Sequence, residues 1–253
     1  MSQASDVENI KPYNNKGCAK GDQVAMMFDN IAPAYDRMNR LMTFGLDRVW
    51  LRRTVSAAAK GTSNKILDIA TGTADVAIAL AHKMPEAHIT GIDLSEGMVA
   101  IGRDKVAKSG LESRVKLCVG DALALPFADN SFDTVTVAYG VRNFENLDKG
   151  YAEMLRVLRP GGRLFVLELT VPASTLVRPF YNMYTRGIIP AMGRLLSKDS
   201  RAYSYLPESI RAVPSRRAMT AMMTRAGLTD AAYKSFFPGT VCLYTATKSL
   251  SDK

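Results

Sequence analysis

Apolar residues recur at two different periods along the 253-residue chain, and the change of period divides it into four stretches. From 24 to 60, Val24, Phe28, Ile31, Tyr35, Met38 and Leu41 repeat at three- and four-residue spacing, which sets them on one helical face. Pro33 lacks the amide hydrogen a helix interior needs, so a kink or break is expected there. Trp50, Leu51 and Val55 mark a second helix ending near Gly61. From 65 to 170, short apolar runs alternate with helical patterns. Strands are expected at Lys65–Ala70, Ala87–Asp93, Arg114–Val119, Phe132–Tyr139 and Arg163–Leu169, with helices over Thr73–Met84, Ser95–Lys108 and Leu147–Leu158. The run Arg159-Pro160-Gly161-Gly162 stops the last of these helices. Such strand–helix–strand repeats imply a parallel sheet covered on both faces. Residues 171–213 lose the rhythm and read as a helical lid inserted over the sheet. Residues 214–253 regain it, with a helix Ser215–Ala226 closed by Gly227 and strands Thr229–Phe237 and Thr240–Thr247 about a Pro238-Gly239 turn. The expected fold is α/β, a mixed seven-stranded sheet of five parallel strands plus a C-terminal hairpin with helices on both faces. It forms one domain over 24–253, with a helical cover at 24–60, behind a polar tail at 1–23.

Charge modifies this picture in one place. Of the formal +9, much sits between Val171 and Arg225, where nine basic residues (Arg178, Arg186, Arg194, Lys198, Arg201, Arg211, Arg216, Arg217, Arg225) face two acids. A patch of that kind serves nucleic acid, an anionic membrane surface, or solubility alone. No apolar run reaches the roughly 18 residues needed to span a bilayer, and the first 23 residues lack the apolar core of a secretory signal. A cytoplasmic protein is expected, with peripheral contact at the inner membrane face as an extension. Cys18, Cys118 and Cys242 stand far apart, and His82 and His88 complete a poor set of metal ligands, so reduced thiols and no metal are expected.

The candidate chemistry lies at the carboxyl ends of the strands, where open α/β sheets bind ligands. The first strand runs into Asp68-Ile69-Ala70-Thr71-Gly72-Thr73-Ala74-Asp75, a small-residue turn before a helix start. Gly72 permits close backbone approach. Asp93 ends the second strand about 20 residues after Gly72, where a carboxylate accepts both hydroxyls of a ribose. Asp121 ends the third strand, placed to accept from an adenine amino group, with Leu94 and Leu123 as apolar contacts. Structural alternatives stand beside these readings: Asp93 as a helix N-cap and Asp121 as a turn former.

These features resemble a class I S-adenosylmethionine-dependent methyltransferase, and the likeness goes beyond the fold. Residues 24–53 (VAMMFDNIAPAYDRMNRLMTFGLDRVWLRR), 120–162 (GDALALPFADNSFDTVTVAYGVRNFENLDKGYAEMLRVLRPGG) and 203–215 (YSYLPESIRAVPS) resemble the menaquinone/ubiquinone C-methyltransferase family. The likeness covers nearly all of 24–248. It is specific in the N-terminal run and in AYGVRNFENLDKG, whereas LRPGG and LPFADNSFD are widespread among methyltransferases. The resemblance implies S-adenosyl-L-methionine as cofactor, with Thr73 at its methionine part, Asp93 at the ribose, and Asp121 with Ala122 at the adenine. It implies a prenylated quinol as substrate, methylated on a ring carbon, with demethylmenaquinol favoured over the benzoquinol of ubiquinone biosynthesis. Ala138 stands where many relatives carry serine, and Ala70 and Ala74 replace glycines of the broader motif.

Carbon methylation needs a stabilised phenolate held against the methyl group, so the groups that do this are sought near the carboxyl end of the fourth strand. Arg142 fits as the oxyanion stabiliser and Asn143 as its orienting partner, within Tyr139-Gly140-Val141-Arg142-Asn143-Phe144. Arginine stays protonated, so a water or a tyrosine must take the proton, and Tyr35 is the first candidate to hold that water. Tyr203 and Tyr205 are candidate lid contacts. The alternatives are an Arg142 paired with Glu145 or Asp148 at the following helix, and a Tyr35 that is only core. A nicotinamide-dependent oxidoreductase would show a GxGxxG turn, and a base-amino methyltransferase would end the fourth strand in Asn or Asp, Pro, Pro and an aromatic. Neither pattern is present, which disfavours those classes and a nucleic-acid partner. A methyltransferase for a sterol or other lipid is a nearer rival, and a homodimer stays open.

Overall fold

The computed structural model of the chain describes residues 4–13, 15, 17–61, 63–189, 191 and 200–250. Arg194 and Lys198 of the basic cluster lie outside them. Seven strands form one sheet in the order β3-β2-β1-β4-β5-β7-β6. They are β1 (Lys65–Ile69), β2 (His88–Asp93), β3 (Val115–Val119), β4 (Phe132–Ala138), β5 (Leu158–Leu169), β6 (Leu228–Phe236) and β7 (Val241–Lys248). The first five run parallel, and β7 enters antiparallel between β5 and β6. The order reverses at β1–β4, the switch point at which a crevice opens above the strand ends.

Side-chain alternation builds a core on each face. Along β5, Leu164 and Val166 join one cluster with Tyr151 and Met154, while Phe165 and Leu167 join the other with Trp50 and Leu80. The first is roofed by α7 (Leu147–Val157) and α10 (Arg216–Arg225); the second by α4 (Leu46–Ala58) and α5 (Asp75–Lys83). Helix α6 (Glu96–Lys108) flanks β2 and β3.

A third cluster lies away from the sheet and covers the strand ends. Met27, Ile31, Met38, Met42 and Met98 pack there with Ile189, Tyr203 and Tyr205. It joins α2 (Lys20–Ile31), α3 (Tyr35–Met42) and α9 (Ser200–Ala212). Methionine has three rotatable bonds and no branch, so this cover can repack around a ligand more readily than the aliphatic sheet core.

Pro33 breaks the first helix as expected: α2 ends at Ile31, Ala32–Ala34 form a 3-10 turn, and α3 restarts at Tyr35. The elements depart from expectation in three other places. Helix α2 begins at Lys20 rather than Val24, and a short α1 (Ala4–Asn9) precedes it with Val7 fully buried. Arg159–Gly162 belong to β5, which starts at Leu158 and passes an irregularity opposite Phe132–Thr134. Helix α5 starts at Asp75, because Ala74 before it takes a left-handed backbone.

Candidate active site

Two cavities meet above the switch point. One, of about 210 Å³, is lined by Gly72, Asp93, Leu94, Asp121, Ala122 and Asn143, among others. A larger one, of about 350 Å³, is lined by Thr73, Arg142, Tyr181, Tyr184, Tyr203 and Tyr205, with many apolar neighbours. Phe28, Tyr35, Ala70, Gly72, Ala138 and Tyr139 line both. The predicted site residues therefore converge, but on two chambers with a shared wall.

The turn after β1 forms that wall. Ala70, Gly72 and Ala74 all have positive φ (52°, 54° and 68°), so the backbone coils tightly over five residues. At Ala70 and Ala74 the side chain makes this conformation cost roughly 1–2 kcal/mol each. Asp68 braces the turn from beneath: its carboxylate accepts from Thr71 Oγ1 and Thr136 Oγ1, both at 2.6 Å. Burial pushes its pKa up to about 6 against the downward pull of those two bonds. Asp68 lines neither cavity, so it supports the turn from below.

Asp93 holds the turn from the other side. Its Oδ2 accepts from Gly72 N at 2.8 Å and its Oδ1 from Ser95 N at 2.9 Å. The cap of α6 is Ser95, whose Oγ accepts from Met98 N at 3.0 Å, so Asp93 is not the N-cap. Asp121 does form its turn, accepting from Leu123 N at 2.8 Å, and also lines the smaller cavity. Acceptors for a diol and for an amino group, separated by Leu94, Ala122 and Leu123, are what an adenosine requires, and the chamber fits that half of S-adenosylmethionine. Thr73 sits elsewhere. It donates to Asp36 Oδ1 at 2.6 Å and accepts from Lys105 Nζ at 3.1 Å, fastening α3 to the turn on the side of the larger cavity.

Arg142 sits in a 3-10 turn, Val141–Asn143, directly after β4. Its Nη1 pairs with Glu168 Oε1 at 2.8 Å and also donates to Tyr139 O. Neither residue is appreciably exposed, and Glu168 holds the guanidinium charged even though burial works against it. The helix-capping alternatives fall away: Glu145 accepts from Gly21 N, and Asp148 pairs with Arg225 at 3.3 Å. Asn143 Oδ1 accepts from Tyr205 OH at 3.0 Å, which links the lid helix to the strand end. Tyr35 packs in the cover as core, but it also reaches both cavities, and burial raises its pKa above that of a free phenol.

Three further residues take part. Glu168 is a lone acid in the apolar strand Leu164-Phe165-Val166-Leu167-Glu168-Leu169, and a buried charge must find a partner; that signal was readable. Tyr139 contributes a buried hydroxyl. Lys20 gave no signal: its buried ammonium donates to the carbonyls of Val7, Arg142 and Phe144, at 2.6, 3.2 and 3.1 Å, strapping the N-terminal segment over the donor chamber.

The sheet topology, the matching family and the relatives of the chain together identify an S-adenosylmethionine-dependent methyltransferase acting on carbon. The chain belongs to the ubiE/COQ5 methyltransferase family, whose model matches residues 16–248. It is 46% identical to a demethylmenaquinone methyltransferase of Bacteroides fragilis, over 95% of this chain and 98% of that one. Against a ubiquinone/menaquinone biosynthesis C-methyltransferase UbiE of Geobacter sulfurreducens it is 43% identical, over 91% and 90%. Among solved structures, the [4+2]-cyclase SpnF superposes with TM-score 0.68 at 19% identity, covering 91% of this chain and 97% of that one. A SAM-dependent methyltransferase of Thermotoga maritima superposes at 0.62 and 18%, covering 88% and 99%. At such identities the structural likeness speaks for the fold alone.

Proposed function

We propose that the chain methylates a ring carbon of demethylmenaquinol, giving menaquinol, with S-adenosyl-L-methionine as donor. The observation that carries this reading is the adjoining of a chamber lined by Asp93 and Asp121 and a larger, mainly apolar one that holds a buried cation. The names borne by the relatives support the substrate class. Asp93, Asp121, Ala122 and Leu94 hold the nucleoside, and Gly72 lets the backbone approach it. The donor supplies an electrophilic methyl group bound to sulfur.

The chain's own groups prepare the acceptor. Arg142 stabilises negative charge on the ring oxygen after that oxygen loses its proton, and Glu168 fixes where the guanidinium sits. Asn143, held by Tyr205, orients the ring. Burial keeps the Tyr35 phenol protonated, so it serves as the holder of a proton-accepting water rather than as the base. Tyr203 and Tyr205, carried on α9, close the acceptor chamber.

The prenyl tail needs a route from a bilayer. Helix α8 (Val177–Met183) and its N-cap residue Leu176 expose Leu176, Phe180 and Met183 at 81, 71 and 62%, beside exposed Arg178 and Arg186. Phe44, at 80% exposure, stacks near Tyr184 at the mouth of the apolar chamber. An apolar stripe bordered by arginines suits peripheral seating on an anionic leaflet. Co-sedimentation with phosphatidylglycerol vesicles should fall in an Arg178→Glu, Arg186→Glu variant; binding indifferent to both lipid charge and these changes would remove the membrane reading.

Methyl transfer from labelled donor to reduced demethylmenaquinone and to a prenylated benzoquinol, compared at equal concentration, tests the substrate. The naphthoquinol should be turned over faster. Exclusive methylation of the benzoquinol would overturn the choice.

A further inference from the structure

Among the described residues, four buried side-chain polar atoms lack a hydrogen-bond partner: Tyr139 OH, Arg142 Nε, Arg216 Nε and Tyr244 OH. Tyr139 and Arg142 line the same acceptor chamber, and Tyr139 also lines the donor chamber. A buried hydroxyl without a partner costs about 1–3 kcal/mol, so natural cores rarely keep one without a use.

Tyr139 carries a second cost. Its φ of 59° lies in the left-handed region, which is uncommon for a bulky side chain. The conformation is held from both ends: its amide donates to Leu167 O at 2.7 Å, and its carbonyl accepts from Arg142 Nη1. Gly140 behind it presses on the donor turn, where a Cβ would stand 2.5 Å from Ala70 Cβ. The backbone therefore aims this ring at the shared wall of the two chambers. Strain and an orphaned donor at one residue point to a ligand contact.

We propose that the Tyr139 hydroxyl is a substrate-binding group that donates a hydrogen bond to the acceptor-ring oxygen beside the methylated carbon, alongside Arg142 Nε–H. This rests on the reading of the chain as a quinol methyltransferase. Burial raises the Tyr139 pKa far beyond the ordinary phenol range, so the group stays a donor and does not act as base. Two donors converging on one oxygen would favour its ionised form over the neutral one, which is the form that makes the neighbouring carbon nucleophilic.

Tyr139→Phe keeps the ring and removes only the hydroxyl. A hydrogen bond to an ionised group corresponds to roughly a tenfold to hundredfold change, so kcat should fall by about that factor. Donor affinity and melting temperature should not fall, since no protein partner is lost. Two readouts stand apart from turnover. The apparent pKa of bound 1-naphthol, followed by absorbance, should be higher in the variant than in the wild type. In protein carrying 3-fluorotyrosine at position 139, the fluorine signal should move when 1-naphthol binds. Turnover within twofold of wild type, an unchanged naphthol titration or an unmoved fluorine signal overturns the Tyr139 assignment alone. Wild-type protein that binds S-adenosylmethionine but leaves reduced demethylmenaquinone unmethylated overturns the quinol reading, and this proposal with it.

Discussion

Replacing Arg142 by methionine should damage both stability and catalysis, and a second substitution should separate the two. Glu168 is fully buried and Arg142 nearly so, with their charged atoms 2.8 Å apart. Removing one member of such a pair leaves an uncompensated buried charge and costs about 3–5 kcal/mol. Here the stranded group is Glu168, which also accepts from Leu169 N at 2.7 Å and from Arg142 N at 3.2 Å. Those two backbone donors should hold the loss near the lower end. Adding Glu168→Gln removes the stranded charge and keeps an acceptor for one of the two amides, so part of the stability should return. Turnover should not return, because no cation faces the ring oxygen; removal of one oxyanion donor costs about 100- to 1000-fold in kcat. Urea unfolding gives the first quantity and single-turnover methyl transfer the second, with donor affinity measured alongside and expected to change little. If the double variant recovers wild-type turnover together with its stability, Arg142 is structural and the mechanism is wrong.

Other consequences follow from the turn, the strap and the shared wall. The Asp68 pKa is raised from 3.8 to about 6, so its favourable contribution is complete below about pH 4 and is lost as pH rises through 6. Between pH 4 and 7 the wild type should lose up to about 3 kcal/mol relative to Asp68→Asn in urea unfolding; parallel pH profiles would contradict this. Gly140→Ala should depress donor affinity and melting temperature together, because the new Cβ collides with Ala70. An unaffected variant would show the wall to be more yielding than its packing implies. Lys20→Ala removes a buried donor to three carbonyls and should destabilise the protein by about 2–4 kcal/mol, speeding proteolysis within the first 20 residues. Unchanged proteolysis there would mean that the strap does not depend on Lys20.

Much of the fold could be read from periodicity, since strands packed by helices on both faces are continuous apolar runs and those runs are short and well separated here. The seven-stranded sheet and its closing hairpin both appear as expected. Three-dimensional effects hid the rest. The left-handed backbone at Ala70 and Ala74 delays α5 by two residues relative to the Thr73 start, and alanine gives no warning of positive φ as glycine does. Arg159–Gly162 look like a helix stop, yet the same residues also begin the strand beside β4. In the site, the strand-end acids and Arg142 were legible because the sheet topology places strand ends together. The division into two chambers was not, because it depends on which way Thr73 and Asn143 face across a turn. Asp93 shows both limits at once: its place at the end of β2 beside the turn could be inferred, while its bond to Gly72 N is a product of folding.

The most direct check is calorimetric titration of purified protein with S-adenosylmethionine and with its demethylated product. One molecule of either should bind per chain, and Asp93→Ala should weaken both by at least tenfold, since it removes the diol acceptor and the brace on Gly72 together. Absence of heat with both ligands, or equal affinity in the Asp93 variant, would contradict the placement of the donor at the tips of β1, β2 and β3.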